Sequence, residues 1–280
     1  MRSDTGSTDG RARNDRASRR LRDLVADSRM DERLKGRLRR LMQKALTAKR
    51  IWAGPLRGRR IVTSWHDYPA AILGRTERHL LAWFEKNVNS GDTWLDIGAH
   101  YGYTAIALSR SVGPAGRVFA FEPMVRTAGC VIETRRSNDL AQLTVVPLGL
   151  GDPASLEMKQ LASVRGMADS TSCDDTWRET VLVARLDWLW PQMCGSYEKI
   201  DGMKIDVQGM ELEALRGMSV LLTRFKPKLV LEVHRHVART ELLDFLEAVG
   251  YSPRSVPIEP VEGEQEPLYV DNRSYAFHAR

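Results

Sequence analysis

From Trp65 onward, short apolar runs alternate with amphipathic stretches, and the alternation predicts strands and helices in turn. A helix is expected near 75–87, where Leu80, Leu81 and Phe84 recur on one face. Strand 93–99, helix 102–111, strand 117–122, helix 125–137 and strand 143–150 follow. That order is a βαβαβ unit and implies a parallel sheet with right-handed crossovers. Residues 151–180 break the rhythm: Asp, Ser, Gly and Thr are frequent and apolar periodicity is weak, which reads as an excursion over the top of the sheet. A short strand is expected at 181–186. Strand 201–207 then leads into helix 210–217, and strand 228–234 into helix 240–249. Residues 274–279 alternate and read as an edge strand, and there is no internal repeat.

Upstream the pattern differs. Residues 1–18 are almost free of apolar side chains and are expected to be disordered. From about Leu21 to Ile51 the spacing turns helical, with Leu34, Leu38, Leu41, Met42 and Ala45 in one narrow stripe between arginines. Such a stripe packs on the main domain or on a second subunit of a homodimer. A membrane-surface helix is the rival reading, disfavoured by the lack of a Trp or Phe at its centre. Gly54-Pro55 and Gly58 end the helix. The expected organisation is a basic tail at 1–18, a helical extension at 19–64 and one α/β domain at 65–280.

The net charge of +6 belongs to the first part of the chain. Residues 1–60 hold 19 basic and 7 acidic residues, a balance of +12, and the remainder balances at −6. The core therefore offers no electrostatic case for nucleic acid. The basic arm is a solvated tail or a weak contact for an anionic surface. Cys130, Cys173 and Cys194 are too widely spaced for a zinc site or a disulfide framework. With no apolar run near the roughly 20 residues that span a bilayer and no secretory pattern, a cytoplasmic location is expected.

Candidate chemistry lies at the strand ends. Thr93-Trp-Leu-Asp-Ile-Gly-Ala-His-Tyr-Gly-Tyr-Thr104 reads as a buried strand closing on Asp96, a glycine turn and a helix start. Gly98 and Gly102 would let a ligand approach the backbone. Arg117-Val-Phe-Ala-Phe-Glu-Pro123 is a second apolar strand ending in an acid, Glu122, which could accept both hydroxyls of a ribose. Asp206, Glu232 and His234 fall at the ends of two further strands. Ligands of open α/β sheets sit at the carboxyl ends of strands near the switch in strand order, and polar groups there are costly unless solvated or partnered. A nicotinamide dinucleotide would call for G-x-G-x-x-G. The spacing here, Gly98-Ala-His-Tyr-Gly102 after Asp96, disfavours a pyrophosphate and suits a sulfonium with an amino group.

These segments, with Met203-Lys-Ile-Asp-Val-Gln-Gly-Met-Glu-Leu-Glu-Ala-Leu-Arg-Gly217, Arg185-Leu-Asp187 and Leu231-Glu-Val-His234, resemble the FkbM-type family of class I S-adenosylmethionine-dependent methyltransferases over about residues 75–252. The resemblance implies a Rossmann-like, seven-stranded α/β fold. It also implies transfer of a methyl group from S-adenosylmethionine to a hydroxyl oxygen of a sugar, glycan or natural product. It places Asp96 and Gly98 at the methionine end of the cofactor, with Ala99, His100, Gly102 and Thr104 in the same loop. Glu122, followed by Pro123, would hold the ribose, and Gly151 with Asp152 would lie near the adenine. Asp206, Glu232 and His234 would face the acceptor. Two positions depart from the family: His100 stands where Asn is usual, and Gln208 where Glu is usual. The second change weakens any case for a divalent metal, and none is expected.

Simpler roles compete for single residues. Glu211 suits an acid in the first turn of helix 210–217, Asp187 could cap a turn, and Lys204 could be an ion-pair partner of Asp206. His234, two residues past Glu232 on the same face, could remove the proton from an alcohol.

Overall fold

The computed structural model describes residues 41–169, 178–194, 199–234, 237–259 and 273–280. The expected tail at 1–18, the helix through residue 40, Cys173, Trp177, Arg235 and His236 lie outside them. The chain divides into two compact units, Met1–Thr76 and Glu77–Arg280.

In the first unit, β1 (Thr47–Arg50) pairs antiparallel with β2 (Arg60–Thr63), and α1 (Pro69–Leu73) follows. Met42, Trp65, Ile72 and Leu73 form a small core. The helix expected to reach Ile51 does not: residues 47–50 are a strand. The β-branched run Ile61-Val62-Thr63 favours a pleated partner, and hydrogen bonding to it outweighs the three-and-four spacing of the preceding residues.

The second unit holds a seven-stranded sheet in the order β5 (Leu143–Val146), β4 (Arg117–Phe121), β3 (Thr93–Ile97), β10 (Gly202–Ile205), β11 (Lys228–Val233), β13 (Arg273–Phe277) and β12 (Val256–Pro257). The pairs from β5 through β11 are parallel, and β13 runs antiparallel to both its neighbours. This is the Rossmann-like α/β fold that the resemblance implies, with the parallel strands that the alternation predicts. The central strand β3 is buried at every position, as expected of a parallel strand covered on both faces. Trp94 anchors it: the ring packs edge-on against Phe84 of α2 (Arg78–Asn87), with centroids 5.8 Å apart. Across the sheet it fills the space where a side chain at Gly202 would stand, 2.2 Å from the ring.

Three expectations need correction. Residues 274–279 are not the edge, because β12 lies outside β13; Pro257, which has no N–H to donate, suits that outer position. The strand expected at 143–150 is broken at Pro147, after which β6 (Gly149–Leu150) joins a different sheet. The excursion at 151–180 contains a second sheet, ordered β6, β9 (Arg178–Ala184), β7 (Glu157–Val164), β8 (Met167–Asp169). Its inward residues Leu161, Val181 and Val183 pack on Met124 and Met210, which follow β4 and β10. The excursion therefore does lie over the ends of the main strands, as a sheet rather than a loop.

Flanking the main sheet are α3 (Tyr103–Val112), α4 (Val125–Ser137), α6 (Glu211–Arg216) and α8 (Arg239–Ala248), near the predicted positions. Two helices had no sequence forecast, α5 (Leu186–Cys194) and α7 (Ser219–Phe225). Asp187 in α5 accepts hydrogen bonds from the amides of Val220 and Leu221, at 3.2 and 3.1 Å, so it caps α7 from outside. Among the described residues no helix is long and apolar enough to cross a membrane.

Candidate active site

The strands β4, β3, β10 and β11 stand side by side, and their carboxyl ends bring five of the predicted residues to one rim. Connections leave β3 toward β4 and β5 on one side and reach β10 and β11 on the other, so β3 and β10 form the switch point.

At its centre is a buried cation. Lys204 lies directly beside Asp96 in the β10–β3 register. Its ammonium donates to Asp206 Oδ2 at 3.3 Å and to the Gly98 carbonyl at 3.3 Å, and lies 3.6 Å from Asp96 Oδ1. Burial favours the neutral amine, but Asp206, Asp96 and Glu232 outweigh it and hold the pKa above its ordinary value. Asp96 is fully buried, and burial pushes its carboxyl upward against the pull of Lys204 and Thr104. Thr104 donates to Oδ2 at 2.7 Å, while Oδ1 accepts no hydrogen bond from the described residues.

Gly98 has φ +81°, and a Cβ there would stand 1.8 Å from the Asp206 carbonyl oxygen. The missing side chain makes room for the Asp206 backbone just beyond the neighbouring strand. His100 adopts φ +50°, a left-handed conformation that Asn takes more readily. Because the Arg165 carbonyl can only accept, His100 Nε2 carries the hydrogen of their 3.1 Å contact.

Glu122, beyond β4, organises the same loop. Its Oε2 accepts from the His100 amide at 2.8 Å and its Oε1 from the Met124 amide at 3.0 Å. Burial pushes its pKa up to about 8 in spite of those two donors. Each oxygen keeps a lone pair, so the group can still accept two hydroxyls.

The third cluster lies at the carboxyl ends of β10 and β11. His234 is buried, whereas Asp206 and Glu232 are part-exposed. His234 Nε2 stands 3.7 Å from Asp206 Oδ1 and 3.7 Å from Glu232 Oε1. The three offer ligand-type atoms within 4.8 Å of one another, a span that suits a small polar group as well as an ion. Lys204 engages Asp206 Oδ2 on the other side, while Oδ1, the oxygen facing His234, also accepts from Gln208 Nε2 at 3.1 Å. Burial would raise the Asp206 pKa, but Lys204 and His234 overcome it and lower it. Glu232, pushed up by burial and by Asp206, sits at about 8.

The sequence reading missed Glu211. The residue is fully buried, and its Oε1 accepts from His234 Nδ1 at 2.7 Å and from the Gly209 amide at 3.1 Å. It is no exposed first-turn acid. Gln208 and Gly209 take φ +55° and +96°, and that turn carries the first-turn side chain inward, an orientation the sequence pattern shares with the outward one.

Gly151 and Asp152 are not joined to these clusters by any described contact. The Gly151 carbonyl packs against Gly217, and Asp152 pairs with Arg185. Gly149 comes closer, since a Cβ there would meet Pro123 at 3.4 Å.

Residues 96–253 match the Methyltransferase FkbM domain. The chain belongs to the FkbM methyltransferase family. It is a methyltransferase, and S-adenosylmethionine is its methyl donor. This FkbM methyltransferase is similar in structure to methyltransferase FkbM from Methylobacillus flagellatus KT, at 16% identity and TM-score 0.44, over 94% of this chain and 59% of that one. It is also similar to a SAM-dependent methyltransferase from Aquifex aeolicus, at 16% identity and TM-score 0.42, over 73% and 88%. No curated protein matches. The residues present fit the cofactor: Asp96 Oδ1, which accepts no hydrogen bond from the described residues although Lys204 lies 3.6 Å away, suits an ammonium, and the spare lone pairs of Glu122 suit a ribose.

Proposed function

We propose that this FkbM methyltransferase methylates a hydroxyl oxygen of a sugar, glycan or hydroxylated natural product. The supporting observation is the convergence of His234 Nε2, Asp206 Oδ1 and Glu232 Oε1 on one partly open spot beside the Asp96 loop. In this reading Asp96, Gly98, Ala99, His100, Gly102, Thr104, Glu122 and Pro123 form the cofactor side, and Gly149 replaces Gly151 and Asp152 next to Pro123.

S-adenosylmethionine supplies a methyl group on an electrophilic sulfonium. The work left to the protein is positioning and proton removal. Asp206 and Glu232 accept hydrogen bonds from neighbouring hydroxyls of the acceptor and so place its reacting oxygen. His234 takes the hydroxyl proton at Nε2. Burial opposes the charged imidazolium, but Glu211, Asp206 and Glu232 together raise the His234 pKa, which favours the ring as a proton acceptor.

The test pairs kinetics with binding. Hydroxylated metabolites and glycosides are screened by mass spectrometry for the gain of one labelled methyl group. Asp206→Asn and His234→Gln are then assayed on the best acceptor. Turnover should fall by roughly 10²-fold or more, the scale of general acid–base catalysis. The calorimetric affinity for S-adenosylhomocysteine should stay within about twofold of wild type, since both substitutions change side chains assigned to the acceptor and keep the Asp206 backbone that packs on Gly98. Full activity in both variants, or labelling of amines alone, would sink the assignment.

A further inference from the structure

We propose that Glu211 is a positioning residue that fixes the orientation and tautomer of His234, with Nδ1–H bound to Glu211 and bare Nε2 turned toward the acceptor. The inference rests on the reading of His234 as the base. Oε1 of Glu211 already accepts the Gly209 amide, so it is an acceptor in its 2.7 Å contact with His234, and Nδ1 carries the hydrogen. A neutral imidazole with hydrogen on Nδ1 has its lone pair on Nε2. Nε2 faces Asp206 and Glu232 at 3.7 Å each, too far for a hydrogen bond and far enough to leave room for a donor.

A carboxylate meant only to support the start of α6 would gain most from a solvated position. Glu211 is fully buried instead, and its Oε2 has no hydrogen-bond partner among the described residues. Burying a carboxylate in that way is costly unless the partner it orients needs it. The charged groups around the ring come from three elements: Glu211 on α6, Glu232 on β11, and Asp206 beyond β10, itself paired to Lys204.

The experiment uses the full-length chain labelled with ¹⁵N-histidine. Wild type should show the neutral His234 ring protonated on Nδ1. Glu211→Gln keeps an acceptor of the same shape but removes the charge. The tautomer should persist, the ring should titrate at lower pH, and the acid limb of the kcat profile should move to lower pH with it. Glu211→Ala removes the acceptor, so the ring should lose its single tautomer. Its kcat should fall on the order of tenfold, a share of what a base contributes, with KM for the cofactor unchanged. A wild-type ring protonated on Nε2, or an unmoved titration in Glu211→Gln, overturns the proposal. The two readings separate cleanly. An active His234→Gln variant removes the base assignment, whereas the NMR titration judges the hold of Glu211 on the ring without reference to turnover.

Discussion

At the scale of single residues, the site is a set of acids whose charges are managed by different means. Asp206 is held ionised by Lys204 and His234, whereas Glu122 is met by two backbone amides and burial leaves its pKa at about 8. That difference has a consequence for cofactor binding. Ribose hydroxyls donate, so they favour the carboxylate, whereas the free protein holds a proton on Glu122 below about pH 8. Binding at lower pH must expel that proton. Affinity for S-adenosylhomocysteine should therefore rise with pH, by at most about tenfold per unit, and level off above about pH 8. Calorimetry from about pH 6 to about pH 9, in buffers of different ionisation enthalpy, would report the proton released. Glu122→Gln should bind more weakly and without the slope; a flat wild-type profile would remove Glu122 from the ribose. The acids at strand ends were legible in the sequence because an apolar strand tolerates them only at its tip. Glu211 was not, because inward and outward orientations of a first-turn side chain share one sequence pattern.

At the scale of elements, the second sheet is the feature that the hydrophobic pattern concealed. Strand β7 buries Leu161 and Ala162 yet exposes Met158, which lies directly opposite exposed Leu182 on β9. A sheet with apolar residues on both faces gives no clean alternation. Its β7–β8 turn is tied to the cofactor loop by His100 Nε2, which donates to the Arg165 carbonyl, and to α4 by Thr127 Oγ1, which donates to the Gly166 carbonyl at 2.8 Å. Gly166 is also tight against Tyr101, whose hydroxyl would stand 2.5 Å from an added Cβ. The histidine at position 100 thus does a task that a shorter Asn could not reach, while Asn would keep the left-handed backbone. His100→Asn should loosen the hairpin alone. Losing one hydrogen bond lowers local opening by about 1 kcal/mol, roughly fivefold faster exchange. Hydrogen exchange should show this at the amides of 157–169, with β3 and β4 unchanged. Equal protection in the variant would mean that the core of Leu161, Val181 and Val183 holds the hairpin without help from His100.

At the scale of the whole molecule, the parallel strands of the main sheet were readable from residue 93 onward because most of them obey one physical rule, an apolar strand followed by an amphipathic helix. The strands of the first unit were missed because they are only four residues each and their pairing is set by partners ten to sixteen residues away rather than by local periodicity. The two units also differ in what they hold. The residues matching the family domain, 96–253, the complete seven-stranded sheet and each strand-end acid lie within Glu77–Arg280. So does the largest apolar core, which runs from Leu95 to Phe277. A unit with its own core and a continuous hydrogen-bond ladder has what independent folding requires. A fragment beginning at Glu77 should therefore unfold in one cooperative thermal transition and bind S-adenosylhomocysteine with an affinity within about threefold of the full chain, a difference of less than about 1 kcal/mol. Methyl transfer by the fragment then reports separately on the acceptor. If binding persists while turnover on the acceptor is lost, residues 1–76 serve acceptor recognition. A fragment that unfolds without a cooperative transition would show instead that the catalytic unit depends on the first unit for its stability.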